Sequence, residues 1–352
     1  MQVFDASKEW VILLPPDALS AKKAASDLAR YIGLLAGYNK ARAPRAPAIM
    51  DAHASSPLSA LIVLQSEGQN PERNGYSWRA EAERVEILGE SDRGLCNGIY
   101  SFLSALGLSW PRSFDSGEDP EKLPAQVSSV LFPLSVNKAH ESSKNGRFRR
   151  FIPPDRTENL IFKKGPAFAA WAARRRFDAV IFPLAAFASR STSHKLKQLK
   201  QYLGEYGISL EAGGRDLSSL VPRSYFPFHR DFFRMEEGLR KKAHHFCPTN
   251  PGAIKVIESE GGRLFRAAGA CRVFHLWPDR DAEAVWCACP SCRAFTPAEL
   301  NRIAVNAAAD VLAKLNPEAV ITYYEKPDEG GNIPMRKNLV KMERLPDEGE
   351  NI

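Results

Sequence analysis

Beyond about residue 145 the chain alternates short apolar runs with amphipathic stretches of helical spacing, and no other feature limits the fold as strongly. The apolar runs are FRRFIP (148–153), AVIFPL (179–184), ISLEAGG (208–214), RVFHLWPD (272–279), AVITYYE (319–325) and NLVKMERL (338–345). Between them lie AFAAWAARRRF (167–177), HKLKQLKQYLGEYG (194–207), PGAIKVIESEGGRLFRA (251–267) and PAELNRIAVNAAADVLAKL (297–315). Strands separated by helices of this length pair in parallel through right-handed crossovers, which predicts an α/β barrel or an open doubly wound sheet. Six strands rather than eight predict a TIM-like (β/α) barrel that is incomplete. The phosphate-cradling signatures GxGxxG and GxxxxGK[ST] follow none of the strands, so nothing points to a dinucleotide or P-loop site.

The first 112 residues read as a separate, small α/β sandwich domain. WVILLPP is a buried strand halted by Pro15 and Pro16, and Ser20 is placed to cap a helix whose apolar face is Ala24, Ala25, Leu28, Ile32 and Leu35, with Gly37 ending it. LIVLQ (61–65) is a second buried strand, and residues 76–89 alternate in two halves like a hairpin. Leu95, Ile99, Phe102, Leu103 and Leu106 form one face of a second helix, which makes Tyr100 and Phe102 core residues. Residues 113–145, rich in Pro, Ser, Asp and Lys, read as a linker to a barrel domain over 146–352.

A chain of 352 residues with 44% hydrophobic content can bury two cores. It has no apolar run of the roughly 18 residues a transmembrane helix needs. The N-terminus lacks a basic, then apolar, then small-residue leader pattern, so the chain as given reads as cytoplasmic, or as extracytoplasmic if a leader was removed. Net charge is +7 and the pI about 9.0. Between Lys144 and Phe177 ten Lys or Arg face only Asp155 and Glu158, and this local excess accounts for the whole net charge. No helix-turn-helix, zinc-finger or RNA-recognition signature accompanies it, which leaves a nucleic-acid or scaffold role as a minor reading. Arginines here suit carboxylates equally well, whether of the protein or of an acidic substrate.

The chemistry concentrates in CRVFHLWPDRDAEAVWCACPSC (271–292), where an apolar run breaks into acidic residues and three close cysteines. Strand C-termini of an α/β barrel line one mouth, which makes Asp279, Asp281 and Glu283 candidates; a solvated acidic loop is the plainer alternative. Cys287, Cys289 and Cys292 can place three thiolates around one zinc. A closed site needs a fourth ligand, for which Cys247, Cys271 and His275 are the candidates. The competing reading is reduced cysteines packing the loop, or a local disulfide.

WAARRRFDAVIF, GISLEAGGRDLSSLVP, YFPFHRDFF, FCPTNP and the WPD…CACPSC block resemble, in order, the motifs of domain-of-unknown-function family 4838. GYSWRAEAERVEILG and RGLCNGIYSFLSALGLSW resemble the end of the N-terminal α/β domain found in α-glucuronidases and family 20 hexosaminidases. The resemblance implies a glycoside-hydrolase-like barrel. Asp279 matches the acidic residue ending the family's fourth barrel strand, and Glu325 follows VITYY at the end of the fifth. Arg215 stands where the family usually has His, and family members continue beyond this chain's last residue.

Glycoside hydrolysis needs one carboxylic acid and one carboxylate, and Asp279 with Glu325 supply the minimum pair as acid and nucleophile or base. A separation of roughly 5 Å suits retention and 6.5–9.5 Å inversion. Arg215, His229, Asp231, Trp277 and Tyr324 are the candidate substrate contacts, with Phe226, Phe228, Phe232 and Phe233 packed below the His229 loop. Arg149, in the arginine-rich first strand, is the candidate for holding a uronate. Trp171, Arg174 and Asp178 fall at helical spacing and read as structural anchors. The expected function is a glycoside-hydrolase-like protein acting on or binding a carbohydrate, with a degenerate, non-catalytic binder as the alternative. The open barrel edge also leads us to expect a homo-oligomer that covers it.

Overall fold

A computed structural model describes residues 3–6, 8–36, 47–51, 60–68, 73–116, 131–133, 140–143, 148–279, 286–325 and 331–342. These fall into two compact units. One runs to Val180 and includes Lys197–Ser209; the other comprises Ile181–Leu196 and Leu210–Glu348.

In the first unit, β1 (Val3–Asp5) and β7 (Leu131–Pro133) pair antiparallel. The main sheet has the order β3-β2-β4-β6-β5-β8, from β2 (Trp10–Leu14), β3 (Ala48–Asp51), β4 (Ala60–Ser66), β5 (Tyr76–Ala80), β6 (Arg84–Gly89) and β8 (His140–Ser143). β2 has a parallel neighbour on each side and every residue buried, which explains its unbroken apolar run. β5 and β6 form the expected hairpin, with Tyr76 opposite Gly89 and Ala80 opposite Val85. β7 and β8 lie inside the stretch read as a linker.

The expected apolar faces build α1 (Lys22–Leu35) and α2 (Asp92–Ala105). Ser20 does not cap α1. A 3-10 turn over Leu19–Ala21 precedes the helix, and the Ser20 N–H donates to Asp92 Oδ2 at 3.3 Å. α2 is capped by Ser91, whose Oγ accepts the Gly94 N–H. Tyr100 and Phe102 are buried, and Phe102 meets Phe4 and Trp78 edge-on with centroids 5.5 Å from each.

The second sheet has the order β16-β15-β14-β11-β10-β9, built from β9 (Arg150–Phe151), β10 (Ala179–Phe182), β11 (Ser209–Gly214), β14 (Val273–Leu276), β15 (Val320–Tyr324) and β16 (Leu339–Met342). The pairs β9–β10, β11–β14, β14–β15 and β15–β16 are parallel. The six runs read as strands are these six. The connecting helices are α3 (Glu158–Lys163), α4 (Gly165–Arg174), α5 (Leu184–Ala188), α6 (Ser193–Gly204), α7 (Pro251–Val256), α8 (Gly262–Ala267) and α9 (Pro297–Leu315). α7 and α8 are joined by a π-turn over Ile257–Gly261. A small hairpin, β12 (Met235–Glu236) with β13 (Leu239–Arg240), sits in the long segment after β11. This is a mixed α/β protein: an N-terminal sheet domain and an incomplete TIM-like barrel.

Trp171, Arg174 and Asp178 are anchors, though not of one another. The Trp171 indole donates to Pro111 O at 3.0 Å, and Arg174 pairs with Asp27 at 3.2 Å. Asp178 follows α4 and accepts from Asn74 Nδ2 (2.7 Å), Arg93 Nε (3.2 Å), Asn97 Nδ2 (3.0 Å) and the Arg149 N–H (2.8 Å). Stripping one member from so buried a charge pair costs about 3–5 kcal/mol.

Candidate functional site

Strand alternation sorts the candidate residues. His275 lies opposite Thr322 and Gly213 opposite His275, and side chains two apart share a face. Glu211, His275, Trp277, Thr322 and Tyr324 therefore fall on one face, and Phe274, Leu276, Ile321, Tyr323 and Glu325 on the other. The first face carries a buried polar chain: His275 Nε2 lies 2.8 Å from Glu211 Oε2, its Nδ1 2.7 Å from Thr322 Oγ1, and the Trp277 indole donates to that same oxygen at 3.0 Å. Trp277 is wholly buried in it and offers no face to a sugar. Tyr324 is half-buried, and its carbonyl accepts from Asn301 Nδ2.

The second face meets α9. Arg302 grips Glu325 through two bonds, Nε to Oε1 at 2.6 Å and Nη2 to Oε2 at 2.9 Å, and Lys341 Nζ adds a contact at 3.4 Å. The Glu325 side chain has no exposed surface. Its carboxylate is thus neutralised on the helix-facing side of β15, away from the face that carries Trp277.

Asp279 emerges at the C-terminal end of β14 with its side chain 25% exposed. Ser218 Oγ donates to its Oδ1 at 2.7 Å, and His244 Nδ1 lies 3.8 Å from its Oδ2. Arg215 Nη1 donates to Pro278 O at 3.2 Å. Arg223 donates to His244 O, while its buried Nη1 has no hydrogen-bond partner among the described residues. Burial lowers the pKa of Arg223, and the charge of Asp279 works against that.

Asp216, just past the end of β11, is the residue sequence reasoning missed. Burial pushes its carboxyl above the ordinary range, the Leu184 N–H bonded to Oδ2 at 2.7 Å opposes this, and the negative charge of Asp279 raises it further. The ends of paired strands thus bring two half-buried carboxyl groups, Asp216 and Asp279, close enough for the charge of one to raise the pKa of the other. The signal of Asp216 in the sequence is the same as that of Asp279: an acidic residue at the end of an apolar run, here in GGRDLSS. Asp281 and Glu283 lie outside the described residues.

His229 and Asp231 belong to the loop after β11. His229 is exposed and stacks on Phe232 at 4.5 Å, and Asp231 Oδ2 accepts from Asn250 Nδ2 at 2.8 Å. The aromatics do not all pack below: Phe233 is buried, but Phe228 is 83% exposed. Phe228, Tyr225 and His229, with Glu260 of the π-turn and Arg263, line an open cleft of about 610 Å³. π-turns are frequent at functional sites.

Arg149, in the first unit, donates to Arg175 O at 2.7 Å and lies over the Phe177 ring at 5.3 Å. Burial and the neighbouring Arg176 and Arg175 lower its pKa to about 10. Arg174 is paired with Asp27, Arg176 donates to Tyr76 Oη at 2.9 Å, and Arg156 pairs with Asp115 at 3.1 Å. Arg149, Arg156, Arg174 and Arg176 are therefore engaged within the first unit.

Cys287, Cys289 and Cys292 are buried together with Cys247. Cys271 and His275, the other candidate fourth ligands, are not in this group. Thiol donation from Cys287 and then Cys292 drives the Cys247 pKa far below the ordinary thiol range, while Cys287, in donating, is raised to about 11.

An N-terminal α/β sheet domain followed by an incomplete TIM-like barrel is a glycoside-hydrolase-like fold. Among solved structures the chain is similar to a GH20 exo-β-N-acetylglucosaminidase from Vibrio harveyi (14% identity, TM-score 0.51), covering 98% of this chain and 55% of that one. It is likewise similar to a Flavobacterium johnsoniae chitobiase (15%, TM-score 0.53, 97% and 52%) and to a GH20 β-N-acetylhexosaminidase from Streptomyces coelicolor A3(2) (12%, TM-score 0.50, 94% and 68%). The chain spans about half the length of the first two. At these identities the likeness is one of fold. No protein-family model and no curated protein matches the chain. Among the described residues no helix is long and apolar enough to cross a membrane.

Proposed function

We propose that the protein is a glycoside-hydrolase-like, carbohydrate-active protein whose sugar site is formed by the loops after β11 and β14, with Asp216 as proton donor and Asp279 as the facing carboxylate. The observation that carries this reading is their placement at the C-terminal ends of paired strands: burial and the charge of Asp279 raise the Asp216 pKa, and Ser218 holds Asp279 through Oδ1. Glu325 takes a supporting role in this reading because Arg302 already holds both its oxygens. The aromatic cleft at Tyr225, Phe228 and His229 is the natural platform for a sugar ring. Arg215 and Arg223, near Asp279, are cations that would suit a uronate. Kinship with family 4838 belongs to this proposal and rests on the order of the motifs.

A screen of aryl glycosides, including N-acetylglucosaminides and glucuronides, tests it together with calorimetric binding of uronic-acid oligosaccharides. Turnover lost in both Asp216→Asn and Asp279→Asn supports the enzyme. Binding without turnover supports a non-catalytic relative, which the burial of Trp277 and the sequestering of Glu325 favour as the second reading. Neither turnover nor binding across the panel refutes both.

A further inference from the structure

We propose that Cys247, Cys287, Cys289 and Cys292 bind one structural zinc ion that staples the segment after β11 to the segment after β14. The four Sγ atoms lie within 4.8 Å of one another, and all four residues are buried. Cys247 Sγ stands 3.7 Å from Cys289 Sγ and 3.6 Å from Cys292 Sγ. Four sulfurs placed about 2.3 Å from a central zinc form a tetrahedron with edges of about 3.8 Å, so these separations are those of a ligand set. They are far longer than a sulfur–sulfur bond of about 2.05 Å, and no disulfide joins any of the six cysteines.

The surroundings suit a negatively charged centre. Four thiolates around Zn²⁺ leave two net negative charges, and thiolate sulfur calls for N–H and O–H donors in the outer shell. The Met235 N–H donates to Cys287 Sγ at 3.2 Å, Arg240 Nη1 lies 3.7 Å from the same sulfur, and Thr249 Oγ1 stands 3.1 Å from Cys292 Sγ. Arg240 also brings a compensating positive charge. Four thiolates close the coordination sphere and leave no position for a substrate or water, which makes the ion structural.

Its position gives the ion work to do. Cys247 directly follows His244, His245 and Phe246, and His244 faces Asp279. The Cys247 N–H donates to Phe232 O and the Ala288 N–H to Met235 O, both at 2.8 Å, so the β12–β13 hairpin is clasped between the two cysteine-bearing segments. The inference deepens the functional reading by naming what fixes its loops, yet its test involves no sugar.

The test is elemental analysis of protein purified without chelator from zinc-replete medium, with about one zinc per chain expected. The cobalt-substituted protein should show the visible bands of a tetrahedral thiolate complex. Cys247→Ser and Cys289→Ser should lose the metal, while Cys96→Ser and Cys271→Ser, buried outside the cluster, should keep it. A strong chelator should lower the melting temperature and zinc restore it. Zinc below about 0.2 per chain with no uptake on addition, disulfides among these four cysteines in freshly purified protein, or iron in zinc's place would each overturn the assignment. The wild-type metal content and cobalt spectrum decide even if the serine variants fail to fold.

Discussion

Replacing Glu325 by Gln distinguishes a scaffold carboxylate from a catalytic one, because the two roles predict opposite outcomes for stability. The Glu325 side chain is fully buried, and Arg302, 16% exposed, spends two bonds on it. Removing one partner of a buried ion pair costs about 3–5 kcal/mol. Arg302 keeps solvent contact and bonds to the carbonyls of Gly331 and Ile333, which places the expected loss lower, at about 2–3 kcal/mol. Lys341, 45% exposed, adds little because water screens it. At about 2–4 °C per kcal/mol, the melting temperature should fall by roughly 4–12 °C. Thermal melts at neutral pH of the wild type, Glu325→Gln, Arg302→Met and the double variant would measure it, and the double variant should lose less than the sum of the singles. Asp279→Asn should leave the melting temperature within about 2 °C while abolishing turnover or weakening binding. A Glu325→Gln protein that melts like the wild type but has lost turnover would refute this assignment and restore Glu325 as a catalytic carboxylate.

Asp216→Asn should raise the melting temperature at pH 7. The folded-state pKa of Asp216 is raised from 3.8, so its stabilising contribution is fully present below pH 3.8 and is lost as pH rises through the folded value; the gain from Asn should therefore shrink towards acid pH, and a gain that grows there would contradict the sign. Phe228→Ala, at a side chain 83% exposed, should leave stability within about 0.5 kcal/mol, yet weaken sugar binding about 2- to 10-fold in calorimetry; unchanged affinity would remove the cleft from the site. Among the described residues β16 lies at the edge of its sheet with Val340 46% exposed, and if a second copy covers it light scattering should report a dimer, which a stable monomer of 39.0 kDa at high concentration would contradict.

The barrel strands were legible because a parallel strand buried on both faces is a continuous apolar run, and AVIF and VITYY carry that signal without help from tertiary contacts. α9 was legible to the residue because Thr296 and Glu299 form a capping box at its start. Ser20 misled because an Asx- or Ser-type cap and a preceding 3-10 turn share the same local residues, and the deciding partner, Asp92, lies 72 positions away. The pairing of Glu325 with Arg302 was hidden for a different reason. Its carboxylate ends a strand as Asp279 does, but the parity of β15 turns it towards α9, and parity can be used only once the register with β14 is known. Cys247 could be named as one of three possible fourth ligands, but only the path of the long segment after β11 brings it, rather than Cys271, to the CACPSC thiols.

The polar chain beneath the mouth also limits how the proposed site could hold a sugar. A desolvated Glu211–His275–Thr322–Trp277 chain is tolerable only while its partners stay in place, since each lost bond would leave a buried polar group unpaired at about 1–3 kcal/mol. Gly213 lets β11 run close to β14 here: its φ is +111°, and a Cβ would stand 2.1 Å from His275 O. Trp277 could reach a ligand only by leaving the Thr322 hydroxyl and opening this packing. In the proposed sugar site, stacking would then come from outside the strands, at Tyr225 and Phe228, and charge from Asp279 with Ser218 and His244 at its side. Recognition thus moves from the strands to the two segments that the four cysteines join. This is why the zinc proposal bears on the sugar site although none of its ligands touches a substrate.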